Sequence, residues 1–348
     1  SQDALELVHC HIAQQPIPPI QINSDIPKVV SDLVLKLMAK TAEARYQNAA
    51  GLLVDLETCA QEFRNSGTIA PFKLGTRDLS DRFHIPQKLY GREAEIATVL
   101  AAFERVSQPQ TGTSSELMLV AGYSGIGKSS LVSEVHKPIT EKRGYFIAGK
   151  YDQFQRDVPY SAAIAAFKDL VKQLLTEDEI QLQEWRSRLL AALGANGRVV
   201  TDVIPDVALI VGEQPPVPEL GPTEAQNRFN LVFQNFMRVF CAPDHPLVLF
   251  LDDLQWADSA SLKLLRLMMS DREMRSLLVI GAYRDNEVSP THPLMTLVDR
   301  LQHEGAIVNT ITLVPLSLRH LNQLIGDTLP HSTEAIQPLA ELVLQKTE

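Results

Sequence analysis

The chain's most chemically informative stretch is Gly122-Tyr123-Ser124-Gly125-Ile126-Gly127-Lys128-Ser129. Its glycines let successive backbone N–H groups turn toward a common centre, and a ring of such donors suits phosphate oxygens. Lys128 adds a charge that would reach β- and γ-phosphates, and the Ser129 hydroxyl is an oxygen ligand for Mg²⁺. The residues that follow, 128–137, have the spacing of an amphipathic helix. The positive end of that helix would face the same anion. The expected binding set is Gly122, Ser124, Gly125, Ile126, Gly127, Lys128, Ser129 and Ser130.

The stretch matches the P-loop pattern in every fixed position. A second element lies downstream. Leu249-Phe250-Leu251-Asp252-Asp253 is an apolar strand pattern ending in two carboxylates, and it resembles a Walker B element. Asp252 would hold Mg²⁺ directly or through water, and Asp253 would act as general base on the attacking water. An acidic turn after a buried strand has the same composition. The phosphate pattern upstream favours the chemical reading. Arg284 ends the next strand pattern, Leu278-Val279-Ile280-Gly281-Ala282-Tyr283. Ligands of open parallel sheets sit beyond the carboxyl ends of strands, so Arg284 would face the γ-phosphate. The alternative is a solvated arginine opening a loop. The expected catalytic set is Asp253, Lys128 and Arg284, with Ser129 and Asp252 on the metal.

These residues need a frame. Strand patterns at 116–122, 144–150, 247–253, 277–284 and 307–315 alternate with amphipathic helices such as 128–137 and 257–269. That alternation predicts an α/β fold, a P-loop NTPase with a parallel sheet flanked by helices. Residues 1–63 read as helical, with apolar faces over 26–40 and 49–63 after an opening helix. Residues 64–88 read as a linker, 89–315 as the ATPase domain and 316–348 as a further helical stretch. The stretch 201–225 holds five acidic residues, five prolines and no Lys or Arg, and reads as an exposed excursion.

Composition narrows the partners. A net charge of −10 argues against a nucleic-acid binder, which needs a basic face. Three scattered cysteines argue against a disulfide framework, so a reducing cytoplasm is the expected location. No apolar run approaches the length of a membrane span. The chain opens on Ser1 and stops inside the helical pattern of 336–345, so a fragment of a longer protein is expected.

Leu89-Tyr90-Gly91-Arg92-Glu93, the P-loop, and Leu251-Asp252-Asp253-Leu254-Gln255-Trp256-Ala257-Asp258 together resemble the STAND branch of AAA-type ATPases. The resemblance implies that the Gly-Arg-Glu segment wraps an adenine through backbone contacts, which would put Tyr90, Gly91 and Arg92 on the base side of an ATP site. It matches Arg284 to the family's strand-end arginine, and Leu313-Val314-Pro315-Leu316-Ser317 to the beginning of its lid. The family's later Gly-x-Pro element is absent from this chain. Leu35-Lys36-Leu37-Met38-Ala39-Lys40-Thr41-Ala42-Glu43-Ala44-Arg45-Tyr46-Gln47 resembles the last helices of a protein-kinase C-lobe, where Arg45 matches an arginine that pairs with a glutamate near the activation segment. Neither His-Arg-Asp nor Asp-Phe-Gly occurs, so these residues should not phosphorylate protein. A kinase tail followed by this ATPase resembles bacterial, cyanobacterial-type multi-domain serine/threonine kinases that carry sensor and histidine-kinase parts. The implied partners are ATP with Mg²⁺, the flanking kinase and sensor domains, and a second copy in a nucleotide-dependent way. A nucleotide-dependent scaffold with little turnover, and the ATPase of a transcription activator, are the alternative readings.

Weaker features have plainer explanations. His9-Cys10-His11 could suggest a metal, but alternate helical residues point apart. Trp256 reads as packing rather than base stacking. Asp152, Gln153, Pro159, Tyr160 and Arg228 could approach the nucleotide, with nothing in the sequence to assign them.

Overall fold

The computed structural model describes residues 14–76, 78, 88–108, 115–142, 144–154, 158–329 and 333–347. The expected opening helix and His9-Cys10-His11 lie outside them, as does most of 77–87. Prolines set the first helix starts: α1 (Pro19–Ile22) follows Pro18, and α2 (Lys28–Leu37) follows Pro27. α3 (Ala49–Ser66) begins where the Asn48 side chain accepts from the Gly51 N–H, and ends at Gly67 in the left-handed region.

From α4 (Glu93–Ser107) onward, strands and helices alternate. They are β1 (Ser115–Ala121), α5 (Lys128–Glu141), β2 (Tyr145–Lys150), α6 (Ser161–Leu174), α7 (Glu179–Leu193), α8 (Gly197–Thr201), α9 (Val207–Val211), α10 (Pro222–Arg238), β3 (Leu247–Asp252), α11 (Ser259–Met269), β4 (Leu277–Tyr283), α12 (Pro293–His303) and β5 (Ile307–Thr312). α13 (Leu318–Thr328) and α14 (Thr333–Thr347) close the chain.

All five expected strands form, and all their pairings are parallel, in the order β2-β3-β4-β1-β5. This is the expected α/β fold. β1 and β4 are buried along their whole length, whereas the edge strand β5 buries only Ile311. That is why the central strands carry long apolar runs, 117–121 in β1 and 247–251 in β3, while the burial of β2, on the other edge, alternates. The register matters most for function. Ala121 lies opposite Tyr283, and Lys150 opposite Asp252, so the carboxyl ends of β1, β2, β3 and β4 finish level.

Residues 92–315 form one compact unit, and the described residues of 10–91 with those of 316–348 form a second. Within the first, Phe167 of α6 meets Phe233, Phe236 and Phe240 of the α10 region at centroid distances of 5.5–5.9 Å.

The structure corrects the sequence reading in two places. The stretch 201–225 is not an exposed excursion throughout: Ile204, Val207, Ile210, Val211 and Gln214 are buried. The acidic and proline residues fall between the apolar ones, so composition masked a short helix, α9, that packs on α7 and α8. Only the part after Gln214 is mainly exposed, and there the Arg228 guanidinium donates to the Pro218 carbonyl. The strand patterns also overrun. β3 stops at Asp252 because Asp253 has φ 55. β5 stops at Thr312, although the Leu313 N–H still donates to the Ala121 carbonyl.

Candidate functional site

β1 delivers the chain to Gly122, and α5 starts at Lys128. Gly127, immediately before the helix, has φ 102, a conformation that a side chain would strain. No side chain caps the start of α5. Its first N–H groups are therefore left for another acceptor. Lys128 is buried, and its Nζ donates to the carbonyls of Gly122 and Tyr123, both at 2.7 Å. Burial pushes its ammonium below the ordinary lysine value, against the pull of Asp252 and Asp253.

Asp252 ends β3, and its Oδ2 accepts from the Ser129 hydroxyl at 3.2 Å. The left-handed turn at Asp253 brings the second acid to the same side, where its own N–H donates to Asp252 Oδ1 at 2.9 Å. Asp253 is buried. Its Oδ2 is 3.1 Å from Lys150 Nζ, and its Oδ1 is 3.4 Å from Arg284 Nε.

These groups surround one polar cavity of about 220 Å³, lined by Ser124, Gly125, Gly127, Lys128, Ser129, Ser130, Lys150, Asp252, Asp253 and Arg284. Three cations face two acids there, which leaves room for an anion's charge. The cradle fits a phosphate group: an uncapped helix start, glycine turns and lysine in one place. The Ser129–Asp252 oxygen pair fits a hard cation that takes its other ligands from phosphate and water. Among the described residues, no cluster of three or more His, Cys, Asp or Glu could hold a metal by itself.

Gly122 and Ile126 support the cavity without lining it. The Gly122 carbonyl holds Lys128, and the Ile126 N–H donates to the Tyr123 carbonyl. Arg92 is buried, pairs with Glu95 at 3.2 Å and donates to the Val314 carbonyl, so its guanidinium is used in anchoring the chain after β5. Tyr90 and Gly91 belong to the other unit. There the Tyr90 hydroxyl donates to Asp327 at 2.8 Å, and Gly91, at φ 62, lies against the ring of His320.

None of the remaining sequence candidates, Asp152, Gln153, Pro159, Tyr160 and Arg228, lines the cavity. The Tyr160 N–H donates to Ser261 Oγ at 3.1 Å, its hydroxyl donates to Asn230, and its ring stacks on Phe229. Asp152 accepts from the Phe154 N–H.

Two site residues escaped the sequence reading. Lys150 ends β2, a strand whose last residues carry no motif. Gln255 is buried; its Nε2 donates to Asp253 Oδ1 at 2.9 Å and its Oε1 accepts from the Arg284 N–H at 3.2 Å. Its position two residues after the acid pair was the available signal, since a buried glutamine there needs partners.

This chain is similar in sequence to several known proteins. The hybrid signal transduction histidine kinase G of Dictyostelium discoideum is 32% identical over 430 residues, covering 100% of this chain and 12% of that protein. The peroxide stress-activated histidine kinase mak3 of Schizosaccharomyces pombe is 24% identical over 234 residues, covering 56% of this chain and 10% of that protein. The chain thus spans about a tenth of the length of these relatives. Among solved structures, Cdc6p of Pyrobaculum aerophilum aligns over 74% of this chain and 56% of its own at 14% identity, with a TM-score of 0.43. No helix among the described residues is long and apolar enough to cross a membrane. Residues 88–280, more than half of the 348, match the AAA ATPase domain, and the chain belongs to that family.

Proposed function

We propose that this chain is an ATP-binding and ATP-hydrolysing regulatory module of a larger signalling kinase. The observation that carries the reading is the polar cavity at the level strand ends, where the uncapped start of α5, Lys128, the Ser129–Asp252 pair and Asp253 converge. In this reading the α5 N–H groups and Lys128 hold the phosphates, and Ser129 and Asp252 hold Mg²⁺. Mg²⁺, when bound, supplies charge that offsets the phosphate oxygens. Asp253 orients and deprotonates the attacking water, and Arg284 stabilises charge on the outer phosphate. The motif resemblance, and not the lining of the cavity, would assign Tyr90, Gly91 and Arg92 to the adenine side.

The motif resemblance to STAND ATPases, and the printed names of the relatives, support a place in a multi-domain kinase. Residues 1–63 would then be the end of a kinase C-lobe, and 316–348 the start of a lid. The two nucleotide states would differ in how that lid packs, which biases the flanking domains.

One observation favours a second reading, a nucleotide-dependent scaffold with little turnover. Asp253 is already engaged by Lys150, Arg284 and Gln255, so a water must compete for it. Titration of labelled ATP with Mg²⁺, followed by phosphate release under single-turnover conditions, separates the readings. Binding with release above background supports the module that hydrolyses; binding without release supports the scaffold; no binding overturns both.

A further inference from the structure

Two short 3₁₀ turns, Leu254–Trp256 and Asp285–Glu287, lie one residue beyond the ends of β3 and β4. They carry two side chains that the phosphate chemistry above does not use. The Arg284 guanidinium carbon lies 4.7 Å from the Trp256 ring centroid. Glu287 Oε1 accepts from Arg284 Nη1 at 2.8 Å, and Glu287 Oε2 accepts from Trp256 Nε1 at 3.2 Å. Asp253 Oδ1 stands at 3.4 Å from Arg284 Nε. The guanidinium thus has an aromatic face on one side and a carboxylate near each of two nitrogens. Nη2 finds no hydrogen-bond partner among the described residues, and the side chain lines the cavity.

We propose that Trp256 and Glu287 are positioning residues that preset Arg284 at the cavity wall, and that the Trp256 ring senses whether a third phosphate has drawn Arg284 away. This rests on the ATP reading of the cavity. Arginine loses considerable side-chain freedom when it is fixed, and a cation ordered before the ligand arrives need not be ordered during the reaction. An aromatic face is suited to this task. It attracts the cation without occupying its N–H donors. The ring itself is fixed, because Trp256 packs against the core and Glu287 holds its Nε1. Any shift of Arg284 toward a phosphate therefore changes the ring's contact with the cation, while a diphosphate leaves that contact as it is.

The chain has only two tryptophans, so a Trp185→Phe background leaves Trp256 as the sole indole reporter. In that background, a non-hydrolysable ATP analogue with Mg²⁺ should change Trp256 emission, and Mg-ADP should not. Arg284→Ala should abolish the response at saturating analogue. A second arm measures phosphate release. Trp256→Leu should lower kcat by on the order of 10- to 10²-fold through misplacement of the arginine, with KM changed far less. Trp256→Phe keeps an aromatic face and should retain most of the rate. Identical emission with both nucleotides sinks the inference, as does a Trp256→Leu loss that appears only as a lower melting temperature. If no nucleotide binds, the ATP reading fails and takes this inference with it; binding with emission blind to the third phosphate overturns the inference alone.

Discussion

Two regions of this chain each bury an aspartate, and they use it differently. In the N-terminal helical region, Asp55 is 2% exposed and accepts from the Tyr46 hydroxyl at 2.5 Å and the Gly75 N–H at 2.7 Å. Asp78 in the same region accepts from the backbone N–H groups of Gln47 and Asn48. These acids join neutral donors from separate segments. At the strand ends, Asp253 is also buried, but two of its neighbours are cations, and all of them face a cavity. A carboxylate consumed by backbone and hydroxyl donors ties segments together. A carboxylate balanced by side-chain cations beside a cavity can exchange those partners for a ligand's. Burial alone does not separate the two; the identity of the donors does.

The comparison is broken most directly at Asp253. Asp253→Asn should slow phosphate release by on the order of 10²–10⁴-fold, the usual cost of losing a general base, while nucleotide affinity stays nearly unchanged. Single-turnover phosphate release beside equilibrium binding measures both, and wild-type turnover in the variant would show that this acid, too, is structural. Next in size is Lys128→Ala, which removes a charge-assisted phosphate contact and should weaken ATP binding by about 10- to 10²-fold. Equal affinities in a titration would dissociate the cavity from nucleotide.

The contrasting region should respond in stability and not in binding. Asp55→Ala strands the Tyr46 hydroxyl and the Gly75 N–H, at a cost of about 3 kcal/mol. Denaturant unfolding should report that loss while ATP affinity holds, because none of the cavity's lining comes from this region. A matching drop in affinity would erase the distinction between the two regions. The smallest effect is that of pH. Burial disfavours the Lys128 ammonium, so its proton leaves below the ordinary 10.5. Phosphate binding needs the charged form. Affinity should therefore hold below the lowered value and fall as pH rises through it, by at most about tenfold per pH unit for one proton. Binding isotherms at increasing alkaline pH check the sign, and Lys128→Ala should flatten the profile.

Much of the site was legible because its residues are consecutive in sequence. The run from Gly122 to Ser130 is local: glycine conformations, a helix start and one lysine define a phosphate cradle without knowledge of the rest of the chain. The strands were legible because a sheet covered on both faces requires continuous apolar runs. The stretch 201–225 misled because acidic residues and prolines dominate its composition, while the few apolar side chains that decide its packing are spaced among them.

Chain order and residue type alone therefore settle the sheet's class, the phosphate loop and the acid pair. Periodicity and backbone conformational preference act over a few residues, so they leave a readable pattern. Only the folded sheet decides which strand ends meet. Parallel pairing in the order β2-β3-β4-β1-β5 sets Lys150 level with Asp252 and brings Arg284 beside Asp253. No local pattern announces that Lys150 will face an acid about a hundred residues away, or that Glu287 will bridge Trp256 and Arg284. Those contacts depend on register and on a left-handed turn at a single aspartate, and both are fixed by packing across the whole sheet.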